Sequence, residues 1–90
     1  MATINTVAVP QAEDIIIDVR HPDEAEQHPL IWPANKIISL PFFNLAKQLG
    51  ELDRQQSYLL YCDKGIMSRL HADSLLKNGF EKVAVFAPQR

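Results

Sequence analysis

The sequence predicts an α/β fold in which a central, mainly parallel sheet is flanked by helices in three layers. Short apolar runs alternate with longer segments of helical periodicity, and glycines and prolines lie between them. Parallel strands joined by crossover helices are the economical topology for this order. With 90 residues, 47% of them hydrophobic and 22% charged, the chain is large enough for one core. We therefore expect residues 1–90 to form a single domain.

Four short runs rich in β-branched or aromatic residues predict buried strands. They are residues 15–19, 36–40, 58–61 and 82–86. Continuous apolar runs of this length are typical of parallel strands that are covered on both faces. Residues 3–9 alternate more weakly between apolar and polar side chains, which predicts an edge strand.

Two segments predict amphipathic helices. Residues 41–52 begin with a proline and place their apolar side chains at helical spacing. Residues 68–78 place apolar and charged side chains on different faces. Gly79 follows as the expected left-handed residue that ends the second helix, and Phe80 is expected to fold back on its last turn.

The segment 22–33 differs from these helices in composition. It contains three prolines, acidic and amide side chains and an isolated tryptophan. Such a composition favours a loop, with at most one helical turn near residues 23–27.

Charge and hydropathy exclude several classes of partner. Nine basic and eleven acidic residues give a net charge of −2, so we expect no direct binding of nucleic acid. No apolar run approaches the roughly 20 residues that a membrane-spanning helix needs. Residues 1–10 lack the basic start and apolar stretch of a signal peptide, so we expect no membrane association and a cytoplasmic location.

Cys62 is the only cysteine, which excludes an internal disulfide, a Cys-x-x-Cys pair and a multi-thiolate zinc site. It follows the predicted strand 58–61 and precedes a helix, the position at which reacting groups gather in open α/β sheets. A loop that Gly65 allows to curl aims backbone N–H groups at the sulfur, and the helix N-terminus adds positive potential. These effects favour a reactive thiolate at Cys62, with no metal or other cofactor required.

We accordingly predict that Cys62 is catalytic and that the residues after it form its active-site loop. The loop residues are Asp63, Lys64, Gly65, Ile66, Met67, Ser68 and Arg69. Two interpretations of Arg69 are open, because it either supplies a cation to the site or pairs with Asp73 one helical turn further on. His71 lies too far along the helix for a Cys-His pair to be favoured.

Asp18 and Arg20, at the end of an early strand, also have two interpretations. Their side chains either support the active-site loop through hydrogen bonds or serve the fold alone, with Arg20 in a buried ion pair with Glu24 or Glu26.

The segment between residues 15 and 86 resembles the rhodanese-like sulfurtransferase domains. The matching motifs are Asp18-Val19-Arg20, Tyr61-Cys62 with Gly65, and Gly79-Phe80 before the last strand. Residues 38–43 and 62–70 are also similar to the C-terminal rhodanese domain of the bacterial enzyme that makes 4-thiouridine in tRNA and serves thiamine thiazole synthesis. Two features depart from the common rhodanese pattern: Met67-Ser68 stands where many members have Arg-Ser, and the early Gly-His-Ile signature is missing.

The resemblance implies a sulfurtransferase in which Cys62 carries sulfane sulfur as a persulfide. It also implies a cysteine desulfurase or another persulfide donor, and a sulfur acceptor protein or domain. In the 4-thiouridine branch a second cysteine in a separate domain releases the sulfur.

Two other functions are compatible with a cysteine between a strand and a helix. A cysteine phosphatase requires Cys-x5-Arg, but the position that corresponds to the arginine is Ser68, and Arg69 comes one residue late. A rhodanese-like module without catalytic activity would bind partners through the same cleft. Uptake of sulfur on Cys62 distinguishes these functions.

Overall fold

In the part of the chain that the structure describes, five parallel strands form a central sheet. The computed structural model describes residues 4–62 and 66–88, without the side chains of residues 46, 66 and 67. The strands are β1 (Thr6–Val7), β2 (Ile15–Asp18), β3 (Ile37–Ser39), β4 (Tyr58–Tyr61) and β5 (Val83–Phe86). The helices are α1 (Pro22–Gln27), α2 (Phe42–Gln48), a 3₁₀ turn (Leu49–Glu51) and α3 (Ile66–Lys77).

The strand order β1-β5-β4-β2-β3 places β4 in the middle of the sheet and β2 beside it. All the strand pairs in the described part of the chain are parallel. The last residues of β2 and β4, Asp18 and Tyr61, are directly paired. The α/β prediction is confirmed, and whatever follows these two strands lies at the same edge of the sheet.

The two faces of the sheet are covered unequally. On one face, the larger cluster contains Ile17 and Leu60 from the strands and Leu45, Ala72 and Leu75 from α2 and α3. The opposite face has a smaller cluster, in which Leu30 and Trp32, from the segment after α1, pack on Ile16, Leu59 and Phe86. The result is the predicted three-layer arrangement, with its thicker layer on the α2 and α3 side.

The prediction that residues 22–33 hold at most one helical turn was wrong in extent, because Pro22–Gln27 form a six-residue helix. Pro22 lies in its first turn, where the fixed φ of proline is compatible with a helix. His21 Nδ1 accepts a hydrogen bond from the Asp23 N–H at 3.2 Å, so a histidine caps this helix. Composition alone did not reveal this cap.

The predicted helix 41–52 is also shorter than expected. After Gln48 it tightens into the 3₁₀ turn, which ends with a hydrogen bond from the Leu52 N–H to the Leu49 carbonyl at 3.2 Å. Gly50 lies in this turn, and glycine weakens a helix interior because it loses the most backbone entropy on folding.

The end of α3 confirms the prediction for Gly79 and Phe80. Gly79 has φ +90° and donates to the Leu76 carbonyl at 3.3 Å, while the Phe80 N–H donates to the Leu75 carbonyl at 3.1 Å. This pair of bonds is the Schellman motif. Phe80 is buried against Tyr58, so the motif directs the chain from α3 back to the sheet. No helix in the described ranges has the length and apolar character to cross a bilayer.

Candidate functional site

Cys62 lies immediately after β4, at the centre of the sheet edge. Side chains alternate along a strand, so Cys62 points to the same face as Leu60 and away from Tyr61. Consistent with this direction, Cys62 packs against the larger cluster and is half-buried. Cys62 is therefore packed against the core and remains partly exposed.

The start of α3 supplies a hydrogen-bond donor to this sulfur. The backbone N–H of Ser68, the third residue of α3, donates to Cys62 Sγ at 3.3 Å. The first N–H groups of a helix have no partner within the helix, and they form the positive end of its dipole. Because Ala72 and Leu75 anchor α3 on the sheet, the helix start is fixed beside the sulfur. The Ser68 N–H and the start of α3 are therefore directed at the sulfur.

Two buried polar atoms of α3 lack hydrogen-bond partners among the described residues, namely Ser68 Oγ and His71 Nε2. Burial lowers the pKa of His71 below its usual 6.5. The imidazole stacks on Phe42, with ring centroids 6.4 Å apart. Sequence reasoning missed both atoms, since a residue type does not show whether its polar atom finds a partner.

Asp18 and Arg20 form a buried ion pair with each other, on the face of the sheet opposite to Cys62. Arg20 Nη2 lies 2.8 Å from Asp18 Oδ2, and Arg20 Nε donates to Asp18 Oδ1 at 2.9 Å. The expectation that Arg20 pairs with Glu24 or Glu26 was therefore wrong. In an extended chain, residues two positions apart share a face, so the nearer carboxylate is the partner. These hydrogen bonds raise the pKa of Arg20 above its usual value.

Arg20 also connects the sheet to α1. Its Nη1 donates to the His28 carbonyl at 2.8 Å, and the guanidinium lies over the Tyr61 ring, 4.9 Å from the centroid. A groove of about 930 Å³ runs between these residues and α1. Cys62 is not among the described residues that line this groove, because it points to the other face. Arg20 therefore contacts the end of β4, at Tyr61, just before Cys62.

Arg69 is directed towards the edge strand. Its Nη2 donates to Thr6 Oγ1 at 3.3 Å, in an exposed contact. Asp73, which the sequence suggested as a partner of Arg69, pairs instead with Lys77 at 2.9 Å. Among the described residues, the Arg69 guanidinium is held by the long hydrogen bond to Thr6 at the surface, and its role as a site cation remains a prediction.

Of the predicted loop, Asp63, Lys64 and Gly65 lie outside the described residues, so their roles remain predictions. Ile66 and Met67 form the first turn of α3. No group of three or more potential metal ligands is present within residues 4–62 and 66–88.

Comparison with known protein families shows to which family the chain belongs. The family model of the rhodanese-like domain matches residues 5–87. The chain belongs to the rhodanese-like domain family. This match includes the strand that precedes Cys62, the helix that follows it and the Asp18–Arg20 pair.

Among curated relatives of this rhodanese-like domain are proteins named tRNA sulfurtransferase. The chain is 44% identical to that of Marinobacter nauticus over 85 residues, which cover 94% of this chain and 18% of the relative. It is 48% identical to that of Pseudomonas syringae pv. tomato, with the same coverage. The chain thus spans about a fifth of the length of the curated relatives it matches.

Solved structures confirm the fold. A rhodanese-related protein from Thermoplasma volcanium superposes with a TM-score of 0.67 at 24% identity, covering 84% of this chain and 72% of that one. A protein of Staphylococcus saprophyticus superposes with a TM-score of 0.64 at 23% identity, covering 98% of this chain and 74% of that one.

Proposed function

We propose that this rhodanese-like domain is a sulfurtransferase that carries sulfur on Cys62. The observation that supports this proposal is the hydrogen bond from the Ser68 N–H to Cys62 Sγ at 3.3 Å, at the accessible end of the central strand. The relatives named tRNA sulfurtransferase, at 44% and 48% identity, support the same reaction class.

The proposed chemistry is an exchange at sulfur. The Cys62 thiolate attacks the outer sulfur of a donor persulfide, a new S–S bond forms, and the donor leaves as a thiolate. The outer sulfur is then bound to Cys62 as a persulfide. An acceptor thiolate attacks this outer sulfur in turn, and Cys62 is regenerated as a thiolate. Neither step needs an oxidant, a metal or an organic cofactor.

The surrounding residues have supporting roles in this proposal. The Ser68 N–H and the positive end of α3 stabilise the charge on Sγ. Arg69 is the proposed cation of the site. The loop residues Asp63 to Met67, with Lys64 as a second cation, keep the roles that the sequence predicts for them. Arg20 holds Tyr61, and therefore the end of β4, in place from the opposite face.

The partners in the proposal follow from the resemblance and from the named relatives. The donor is a cysteine desulfurase or another protein persulfide. The final acceptor is a tRNA uridine that becomes 4-thiouridine, or a sulfur-carrier protein for the thiamine thiazole, in each case handled by another domain. The proposed location of this reaction is the cytoplasm.

Single-turnover release of sulfur tests the proposal. Wild type and Cys62→Ser are incubated with glutathione persulfide, desalted and treated with dithiothreitol, and the sulfide released per chain is counted. Wild type is expected to release one sulfide per chain and Cys62→Ser none, because a serine hydroxyl is not ionised at neutral pH and forms no persulfide. Circular dichroism of Cys62→Ser serves as the folding control.

Equal release from the two proteins would contradict the assignment of Cys62. A module without catalytic activity would release no sulfide in either form. A phosphatase would also release none and would hydrolyse a phosphate ester instead.

A further inference from the structure

The side chain of Ser68 takes no part in the sulfur exchange proposed above. Ser68 is completely buried, and its Oγ has no hydrogen-bond partner among the described residues. Leaving a buried hydroxyl without a partner costs free energy of folding, so such groups are rare unless they serve a function.

The direction of this side chain follows from α3. Ala72 and Leu75, four and seven positions after Ser68, are completely buried in the cluster on the sheet. Residues at this spacing share one face of a helix, so the Ser68 side chain faces the sheet. Cys62 packs against the same cluster, on the same face of the sheet. The hydroxyl and the sulfur therefore lie on the same side of the sheet, at the start of α3, where the Ser68 N–H already contacts Sγ.

Loading of Cys62 with sulfur adds a hydrogen-bond acceptor that the unloaded protein lacks. A persulfide extends the cysteine by one S–S bond of about 2.05 Å, and the outer sulfur is a stronger hydrogen-bond acceptor when it is ionised. Within the described residues, Ser68 Oγ forms no hydrogen bond to Sγ. A second sulfur on Sγ adds an anionic acceptor next to the residue whose N–H already contacts Sγ.

We propose that Ser68 is a positioning residue whose hydroxyl donates a hydrogen bond to the outer sulfur of the Cys62 persulfide. The backbone N–H of Ser68 serves Sγ, and its side chain serves the sulfur that is transferred. This inference rests on the proposed sulfurtransferase function. It explains why an unpartnered hydroxyl is retained in the core, since the hydroxyl is partnered when the protein is loaded.

The test compares Ser68→Ala with Ser74→Ala, the same substitution at a half-buried position of the same helix. Each variant and wild type are equilibrated with glutathione and glutathione persulfide, and the loaded fraction of Cys62 gives the exchange equilibrium constant. Urea unfolding of the unloaded proteins is measured in parallel.

Ser68→Ala is expected to lower the exchange equilibrium constant about tenfold, as the loss of one hydrogen bond to a charged acceptor predicts. Its unloaded form should be at least as stable as wild type, because alanine removes a buried polar atom that has no partner. Ser74→Ala should load like wild type.

An equilibrium constant equal to that of wild type would overturn the role of Ser68. So would a loss of stability in unloaded Ser68→Ala, because the hydroxyl would then have a structural partner. If wild type took up no sulfur, the proposed function itself would fail, and the role of Ser68 would fail with it.

Discussion

The ends of β2 and β4 are paired in the sheet, yet their polar groups are in opposite states. At the end of β2, both oxygens of Asp18 and all three nitrogens of the Arg20 guanidinium form hydrogen bonds. Beyond β4, at the start of α3, Ser68 keeps a buried hydroxyl without a partner in the described structure. Polar groups that satisfy one another's hydrogen bonds stabilise the fold, whereas the Ser68 hydroxyl lies unpaired among the described residues, next to the cysteine that we propose carries sulfur. The two strand ends therefore differ in how completely their buried polar groups are hydrogen-bonded.

The largest expected effect is a loss of stability in Arg20→Met, at the end of β2, where the polar groups are hydrogen-bonded to one another. Removal of one partner from a buried ion pair leaves an uncompensated charge, and we expect the free energy of unfolding to fall by about 3–5 kcal/mol. Urea unfolding at neutral pH measures it. The control is Lys77→Met, which removes an exposed pair and should cost about 0.5 kcal/mol or less. A loss of stability in Arg20→Met no larger than that of the control would show that the buried pair contributes no more than an exposed one.

A smaller, pH-dependent effect is expected at the other end, from His71. Because burial lowers its pKa below 6.5, the unfolded chain takes up this proton first as the pH falls. The histidine therefore makes the free energy of unfolding decrease as the pH drops below 6.5, until the folded protein is also protonated. His71→Gln should lose less stability than wild type between about pH 7.5 and about pH 5.5 in urea unfolding. An equal loss in the two proteins would show that His71 is not desolvated.

The smallest effect is expected from Arg69, whose guanidinium makes one long contact with Thr6. Arg69→Ala should keep its carried sulfur but transfer it to a thiol acceptor a few times more slowly, because one nearby positive charge is lost. Lys77→Ala removes a cation from the far end of α3 and serves as the control in the same single-turnover assay. If Arg69→Ala transferred at the wild-type rate, Arg69 would belong to the solvated surface.

The sequence predicted the elements that depend on periodic apolar residues. The predictions of strands β2 to β5 and of the apolar face of α3 with Ala72 and Leu75 were correct. Burial on a sheet needs apolar side chains at fixed spacing, which a sequence shows directly. Gly79 was predicted correctly because only glycine readily adopts φ +90° there. The extent of α1 was not predicted correctly, because this helix is capped by a histidine, a residue with little helix-capping preference.

Within the candidate site, the sequence located Cys62 between a strand and a helix, and the Ser68 N–H on its sulfur agrees with the expected contribution of the helix. The partner of Arg20 and the direction of Arg69 were not predictable, since several oppositely charged or polar groups lie within reach of each along the chain. The unpartnered state of Ser68 Oγ follows only from three-dimensional packing, which no local pattern encodes.

Mass spectrometry of the protein after incubation with a cysteine desulfurase and cysteine tests the sulfur-carrying role of Cys62 most directly. Intact mass followed by fragmentation shows whether sulfur is added and on which residue. We expect a gain of one sulfur atom, located on the fragment that contains Cys62, and no gain in Cys62→Ser. An unchanged wild-type mass, or added sulfur that persists in Cys62→Ser, would contradict it.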